Sequence, residues 1–486
     1  MASNIGIGNL NTESIELNTS ALNLHNRISV DPSLINGNDI YVAPTGGLTE
    51  NGPYEFVLSG DSSFHKILNL SRLFGEFHLI DPSTGNLIDA ETDVSFVNNI
   101  GHSWISSIEL FLNDKNVIDQ STQSYAYKSF IENCLSYSNH KKESDFSGSY
   151  WINDDDNYNK FKRSESSALD KRRKLLEGEK FNKGYFALNL NIDAFKSPIY
   201  LFPGINIKLK IHKAKDDFFL MSDGKKATFK IKKLEMRFRL VQTQESYVNN
   251  SKAIGHGTTS PAFLPFTQTK IRSYLCVKEI SSFNWTNCIR GVIPHQVIIA
   301  FVDHQAYTGN YQKNPFAFET FGIQKINLKV NGQSYPATPY NVDFDNGDFL
   351  PIYDDMLRSI GFSEINESAG ISKSEFRKHK FFAIFGKYFR ILILCKLLIN
   401  NAYRFYSHSG CLVYILFNYI LSFMIDLTPN CDNTRDLHPQ LRGNVNLEVT
   451  FKEATQTTIT VLMYTATSGG ISVGKDFDVQ MLSSDY

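Results

Sequence analysis

The chain has 486 residues, with 49 Lys plus Arg against 50 Asp plus Glu, and this near balance leaves no global basic field to recruit nucleic acid or an anionic membrane. At 42% hydrophobic and 20% charged it reads as globular rather than disordered, and its length exceeds one ordinary domain and suits two of about 200 residues. Phe (37) and Tyr (23) dominate an aromatic content of 13%, which favours strands joined by polar loops.

Residues 1–50 are rich in Asn, Ser and Gly without apolar periodicity and read as a flexible arm. A β pattern begins at Tyr54–Leu58 and continues through 77–80. Ile108-Glu109-Leu110-Phe111-Leu112 then alternates apolar with outward residues and ends on Asn113-Asp114, a pair suited to the positive φ of a tight hairpin. Tyr127, Phe130, Ile131 and Cys134 fall on one face of a predicted helix. Residues 138–180 are strongly polar and read as an exposed insertion. Within it, Asp154-Asp155-Asp156 lacks the alternation and Gly of a calcium loop and reads as a solvated turn. Lys171-Arg172-Arg173-Lys174 reads as a solvated basic face, with a nuclear-localisation or nucleic-acid patch as the sharper alternative. Strands resume at 186–190, 205–211 and 227–241.

A Ser, Asn and Gly rich stretch, 242–261, marks the expected boundary between two domains, 51–245 and 246–486. Strands are then expected near 271–277, 296–302, 321–330, 445–451 and 457–464, with a short helix near 353–360. Ile326-Asn327-Leu328-Lys329-Val330 repeats the earlier alternation at an offset of 218 and ends on Asn331-Gly332, a second hairpin signal. Many short strands with turn signals indicate sandwiches or barrels.

Residues 381–425 are anomalously apolar, and 411–425 is nearly unbroken. That run is shorter than the roughly 18–20 residues a membrane helix needs and contains Asn418, so membrane contact is not the expected reading. The six cysteines, at 134, 276, 288, 395, 411 and 431, include no CxxC pair. The first residues do not resemble a signal peptide, so intracellular synthesis under reducing conditions is expected.

The chain carries no GxSxG, HExxH, P-loop or dinucleotide-binding fingerprint. His102, His256, His295 and His304 lack ligand spacing, and Asp343, Asp345, Asp348, Asp354 and Asp355 read as solvated loop carboxylates. Trp104, Trp151 and Trp285 read as packing anchors. No catalytic residue, metal ligand, cofactor site or small-molecule substrate is expected.

Longer stretches around the hairpins resemble the major capsid proteins of Polinton (Maverick) elements, which are adintovirus-like. Residues 97–110 (VNNIGHSWISSIEL) carry Asn98, Asn99, His102 and Ser103 ahead of the strand that ends at Asn113. Tyr125-Ala126-Tyr127-Lys128-Ser129-Phe130-Ile131-Glu132 is similar to the family's next helix, and Pro203-Gly204-Ile205 to the start of a late strand of its first jelly roll. Gly309, then Asn314-Pro315-Phe316, then the Asn331-Gly332 turn, then Asp426-Leu427-Thr428-Pro429, complete the collinear match over residues 50–480. The resemblance implies an all-β double jelly roll: two tandem eight-stranded antiparallel sandwiches with a few short helices in loops. It further implies a homotrimeric, pseudo-hexagonal capsomer of an icosahedral virion shell, contacting neighbouring capsomers and a minor penton protein. Sequence-specific nucleic-acid binding is not implied. Within 246–486, residues 386–423 depart from the family and read as an inserted segment, such as a translated intron, interrupting a strand that would join 381–385 to 424–427. The competing reading is a double β-sandwich binding protein that does not assemble.

Overall fold

The computed structural model describes residues 33–60, 63–118, 124–154, 158, 160–178, 181–360, 368–386 and 442–482. Two four-stranded sheets face each other in the first half. Leu34–Val42, Thr228–Thr243, Phe64–Ile80 and Lys183–Leu188 lie side by side in that order, opposite Tyr54–Leu58, Ile207–Lys213, Ile105–Leu112 and Lys115–Asn116. In the second half Ala262–Cys276, Ile459–Val473, Gln296–Asp303 and Ala383–Gly386 face Ser282–Val292, Arg442–Phe451, Ile323–Val330 and Gln333–Asn341. Numbered in chain order within each half, these eight strands run 1-8-3-6 in one sheet and 2-7-4-5 in the other, both times. All these pairings are antiparallel. That order, twice over, is a double jelly roll. Val94–Phe96 paired with Leu220–Ser222, and Val479–Leu482 on the second half's long sheet, are additions to it.

Side-chain alternation explains why each strand sits where it does. In Ile105–Leu112, Ile108, Leu110 and Leu112 are buried while Glu109 and Phe111 face outward. In Thr228–Thr243, Phe229, Ile231, Leu234, Met236 and Phe238 enter the core. A bulge between Ile231 and Lys233 takes up the one residue by which the alternation slips, so that Lys232 and Lys233 both stay in solvent. The two hairpin turns form as read: Asn113 and Asp114 have φ of 46° and 65°, and Asn331 and Gly332 have 50° and 83°.

Two expectations are corrected. Leu34–Val42, read as part of an arm, is an edge strand whose Ile40 and Val42 pack on the core; residues 1–32 lie outside the described set. Between the two sandwiches, the boundary stretch 242–261 holds the helix Glu245–Gly255, whose Gly255 lets the Phe477 ring approach so closely that a Cβ would stand 2.5 Å from it. The 138–180 insertion is not a solvated loop: Tyr150, Trp151, Leu169, Arg172, Arg173 and Leu176 are all buried.

The second half's sheet 1-8-3-6 differs from the other three. Val297 to Val302 and Ile459 to Ala466 are buried without alternation, because both faces are covered. One face meets its own sandwich and the other meets a helix of the first half.

Candidate functional site: a buried seam between two sandwiches

That helix, Ser124–Leu135, is buried at all twelve residues. Its aromatic face receives side chains from the second half. The Phe316 ring stacks on Phe130 at 4.3 Å and 9°, Tyr127 stacks on Tyr307 at 5.7 Å, and Phe318 lies against both Tyr127 and Phe130. The residues of the Gly-then-Asn-Pro-Phe stretch are thereby explained. Asn314 Oδ1 accepts from Phe316 N at 3.0 Å, so Asn314 and Pro315 form a tight turn that presents Phe316. Gly309 has φ of 109°, and a Cβ there would stand 2.5 Å from Asp217 Oδ1.

The polar side of the same helix spans the two halves. Lys128 Nζ donates to Asp193 Oδ1 at 2.6 Å, with both side chains almost fully buried. Asp193 also accepts from Thr269 N and Thr269 Oγ1, each at 2.8 Å, and Thr269 belongs to the second sandwich. One turn on, Glu132 accepts from Lys196 Nζ at 2.8 Å and from the Tyr464 hydroxyl at 3.0 Å, again across the seam. Burial, reinforced by the nearby Glu132 and Asp193 carboxylates, pushes the Tyr464 phenol well above its usual range.

Asn98, Asn99, His102 and Ser103 build the turn beside this helix, and His102 and Asn99 reach it directly. Asn99 adopts a left-handed backbone (φ 62°) at the start of the short helix Ile100–Ser103, and Ser103 Oγ donates back to its carbonyl at 2.9 Å. Asn98 Oδ1 accepts from Ile152 N at 2.9 Å, and Asn99 Oδ1 from Ser149 Oγ at 3.0 Å. His102 Nδ1 lies 2.9 Å from the Tyr125 hydroxyl, which also accepts from Asn191 N. Burial pulls the His102 imidazole down to about 3, so it is neutral in this contact.

The insertion 138–180 closes the rim of the seam. Arg172 donates to the carbonyls of Phe96 and Ile152 and pairs with Asp154; Arg173 donates to those of Asp89 and Phe181. These two guanidiniums are structural pins, and their burial removes them from the solvated basic face, which keeps only Lys171 and Lys174. Lys142 Nζ donates to the carbonyls of Cys134 and, across the seam, Ala369, while Asn139 N donates to Ser368 O at 2.9 Å. Burial draws the Lys142 amine down to about 8.

The two hairpin turns repeat down to their hydrogen bonds. Asn113 exchanges a backbone and a side-chain bond with Asn206 (3.1 and 2.8 Å), and Asn331 does the same with Asn444 (2.9 and 2.9 Å). Pro203 and Gly204, the latter at φ 89°, form the turn leading into Ile207–Lys213. Asp426, Leu427, Thr428 and Pro429 lie outside the described residues, as do Asp155, Asp156 and the insertion beyond Gly386.

The loop carboxylates do not converge. Asp343 caps its own turn, Asp354 pairs with Arg358 at 2.7 Å, and Asp355 accepts from Tyr340 at 2.7 Å. A cleft of about 700 Å³ at one end of the second sandwich contains Asp303 paired with Lys313 and Asp345 paired with Lys452. Among the described residues no group of three or more His, Cys, Asp or Glu is placed to hold a metal. No helix among them is long and apolar enough to cross a membrane. Cys134, Cys276 and Cys288 are free and buried. Trp104 and Trp151 are buried and Trp285 is partly so. The sequence reading missed Asp193, Thr269 and Tyr464, since a lone polar residue in a strand or loop carries no sign of a distant partner.

No family model matches the chain. An uncharacterized protein of Caenorhabditis elegans is 22% identical over 361 residues, covering 69% of this chain and 79% of that protein. Among solved structures, a chain of the Sputnik virophage superposes with a TM-score of 0.55 at 10% identity, over 97% of this chain and 93% of that one. The PBCV-1 virus capsid gives 0.52 at 9% identity, over 94% and 99%. The Faustovirus major capsid protein gives 0.50 at 8% identity, over 97% and 93%. At these identities the likeness is one of fold, and it extends over both sandwiches.

Proposed function

We propose that the chain is a major capsid protein of a Polinton (Maverick)-type virus-like element, with three copies closing into a pseudo-hexagonal capsomer of an icosahedral shell. The observation that carries this reading is the pair of sandwiches with identical strand order, joined through a fully buried helix rather than a linker. Such a unit presents two similar blocks per copy. Three copies then supply six blocks under closed cyclic symmetry. The collinear Polinton-like stretches favour that lineage over other capsid lineages of the same fold. The protein's work is packing and association, with no bond chemistry. Neighbouring capsomers and a penton protein are the proposed partners, and the virion shell its proposed location.

Expression of the chain without residues 386–423, followed by size-exclusion chromatography and electron microscopy, tests the reading. Concentration-dependent trimers that go on to particles support it. A stable monomer under all conditions contradicts it and favours the non-assembling binding protein. Residues 386–423 are proposed to be a translated intron or similar insertion, which sequencing of the spliced transcript decides: a mature message that keeps the segment in frame overturns that proposal.

A further inference from the structure

In each half, the connection between strands five and six carries a helix: Ser124–Leu135 in the first and Leu350–Ser359 in the second. The first is buried all round because it lies on the outer face of the second half's sheet 1-8-3-6, where it meets Thr269 through Asp193 and meets Tyr464 directly. The corresponding face of the first half is open. Tyr41 is 58% and Tyr185 50% exposed, and strand register sets them in rows with charged neighbours: Tyr41, Arg237 and Arg72 in one, Lys233, Glu76 and Tyr185 in another. The central strand of this face, Thr228–Thr243, carries five basic residues and one acidic residue. The second helix is the opposite. Leu350–Ser359 buries Ile352 and Met356 on its own sandwich and leaves Leu350, Asp354 and Arg358 in solvent. The described residues around it, 342–360, hold five acidic residues and one basic residue.

We infer that helix Leu350–Ser359 and its acidic connection in one copy pack on the basic and tyrosine-bearing outer face of the first sandwich in the next copy. This rests on the trimeric reading above and names its contact. The contact already made inside each chain is repeated between chains, so a ring of three contains six related sandwich-to-sandwich contacts. A head-to-tail contact of this kind closes under threefold symmetry. The exposed tyrosines and half-buried arginines supply the residue types that anchor interfaces, and the opposite charges fix register and orientation.

Charge reversal in the chain without residues 386–423 tests it. Lys232→Glu/Lys233→Glu alters only exposed side chains, and Asp348→Lys/Asp354→Lys alters the facing acidic connection. Each double variant is expected to raise the trimer dissociation constant at least tenfold, with an unchanged far-ultraviolet spectrum and melting temperature for the monomer. All four substitutions in one chain are expected to restore trimers. Wild-type trimers should also weaken as salt rises from 50 to 500 mM. Trimers unaffected by either reversal overturn this contact while leaving the capsid reading intact. Failure of the fourfold variant to regain trimers lost in the double variants also overturns the pairing. A wild-type chain that stays monomeric at every concentration overturns both.

Discussion

Replacing Asp193 with Ala removes the acceptor that joins Lys128 to Thr269. The side chain of Lys128 is only 2% exposed, so the lost carboxylate leaves a cation buried without its counter-charge. Breaking a buried pair from one side costs about 3–5 kcal/mol. The orphaned Thr269 N–H adds about 1–3 kcal/mol where water does not reach it. Relaxation and water entry make these overlap, so the expected loss is about 4 kcal/mol, a large share of the stability of an ordinary domain. Removing both charges, as Lys128→Met/Asp193→Leu, eliminates the unpaired ion and should recover about half of that loss. Urea unfolding of the unassembled chain, followed by the fluorescence of its three tryptophans, measures each corner of the double-mutant cycle. A coupling of about 2 kcal/mol is expected. A loss below about 1 kcal/mol for Asp193→Ala, or strictly additive single variants, refutes the claim that this pair holds the two sandwiches together.

Three further predictions follow from the seam and its anchors. Phe316→Ala empties a fully buried ring site against Phe130 and should cost about 3–5 kcal/mol by the same unfolding assay. His102 has its imidazole held near 3 in the fold against 6.5 when unfolded, so the unfolded chain takes up the proton first as pH falls. Its contribution is complete above pH 6.5 and is lost below, by about 1.4 kcal/mol per pH unit, or about 2 kcal/mol at pH 5; His102→Gln should flatten that slope in melting curves across pH 5–7. Asn331→Ala puts a residue that disfavours the left-handed region at φ 50° and removes the acceptor for Asn444 N; a loss of about 1–2 kcal/mol in thermal unfolding is expected.

The parts of the fold that were legible were those in which one short stretch specifies its own conformation. Ile108 to Asp114 and Ile326 to Gly332 carry both their alternation and their turn residues, so each hairpin could be read in place. The helix around Tyr127, Phe130, Ile131 and Cys134 was legible for the same reason. What failed depended on distant partners. The polar stretch 138–180 reads as solvated because nothing local says that Arg172 will meet the Phe96 and Ile152 carbonyls, or that Lys142 will reach Ala369. Leu34–Val42 shows no alternation because an edge strand needs only one or two inward residues, here Ile40 and Val42. The strand pattern of the second half's covered sheet is blurred for the opposite reason, since Ile459 to Ala466 is buried on both faces. The resemblance stretches located Asn98, Asn99, His102, Ser103 and Asn314 to Phe316, but their shared purpose, clamping one helix from two sides, became visible only once that helix was placed between the sandwiches.

Assembly is the central claim, and sedimentation velocity of the chain without residues 386–423 across a hundredfold range of concentration, with negative-stain electron microscopy of the same samples, tests it most directly. The account predicts a monomer–trimer equilibrium and, at the upper concentrations, flat particles with a six-lobed outline. A single monomeric species throughout, with two lobes and no larger particle, contradicts it.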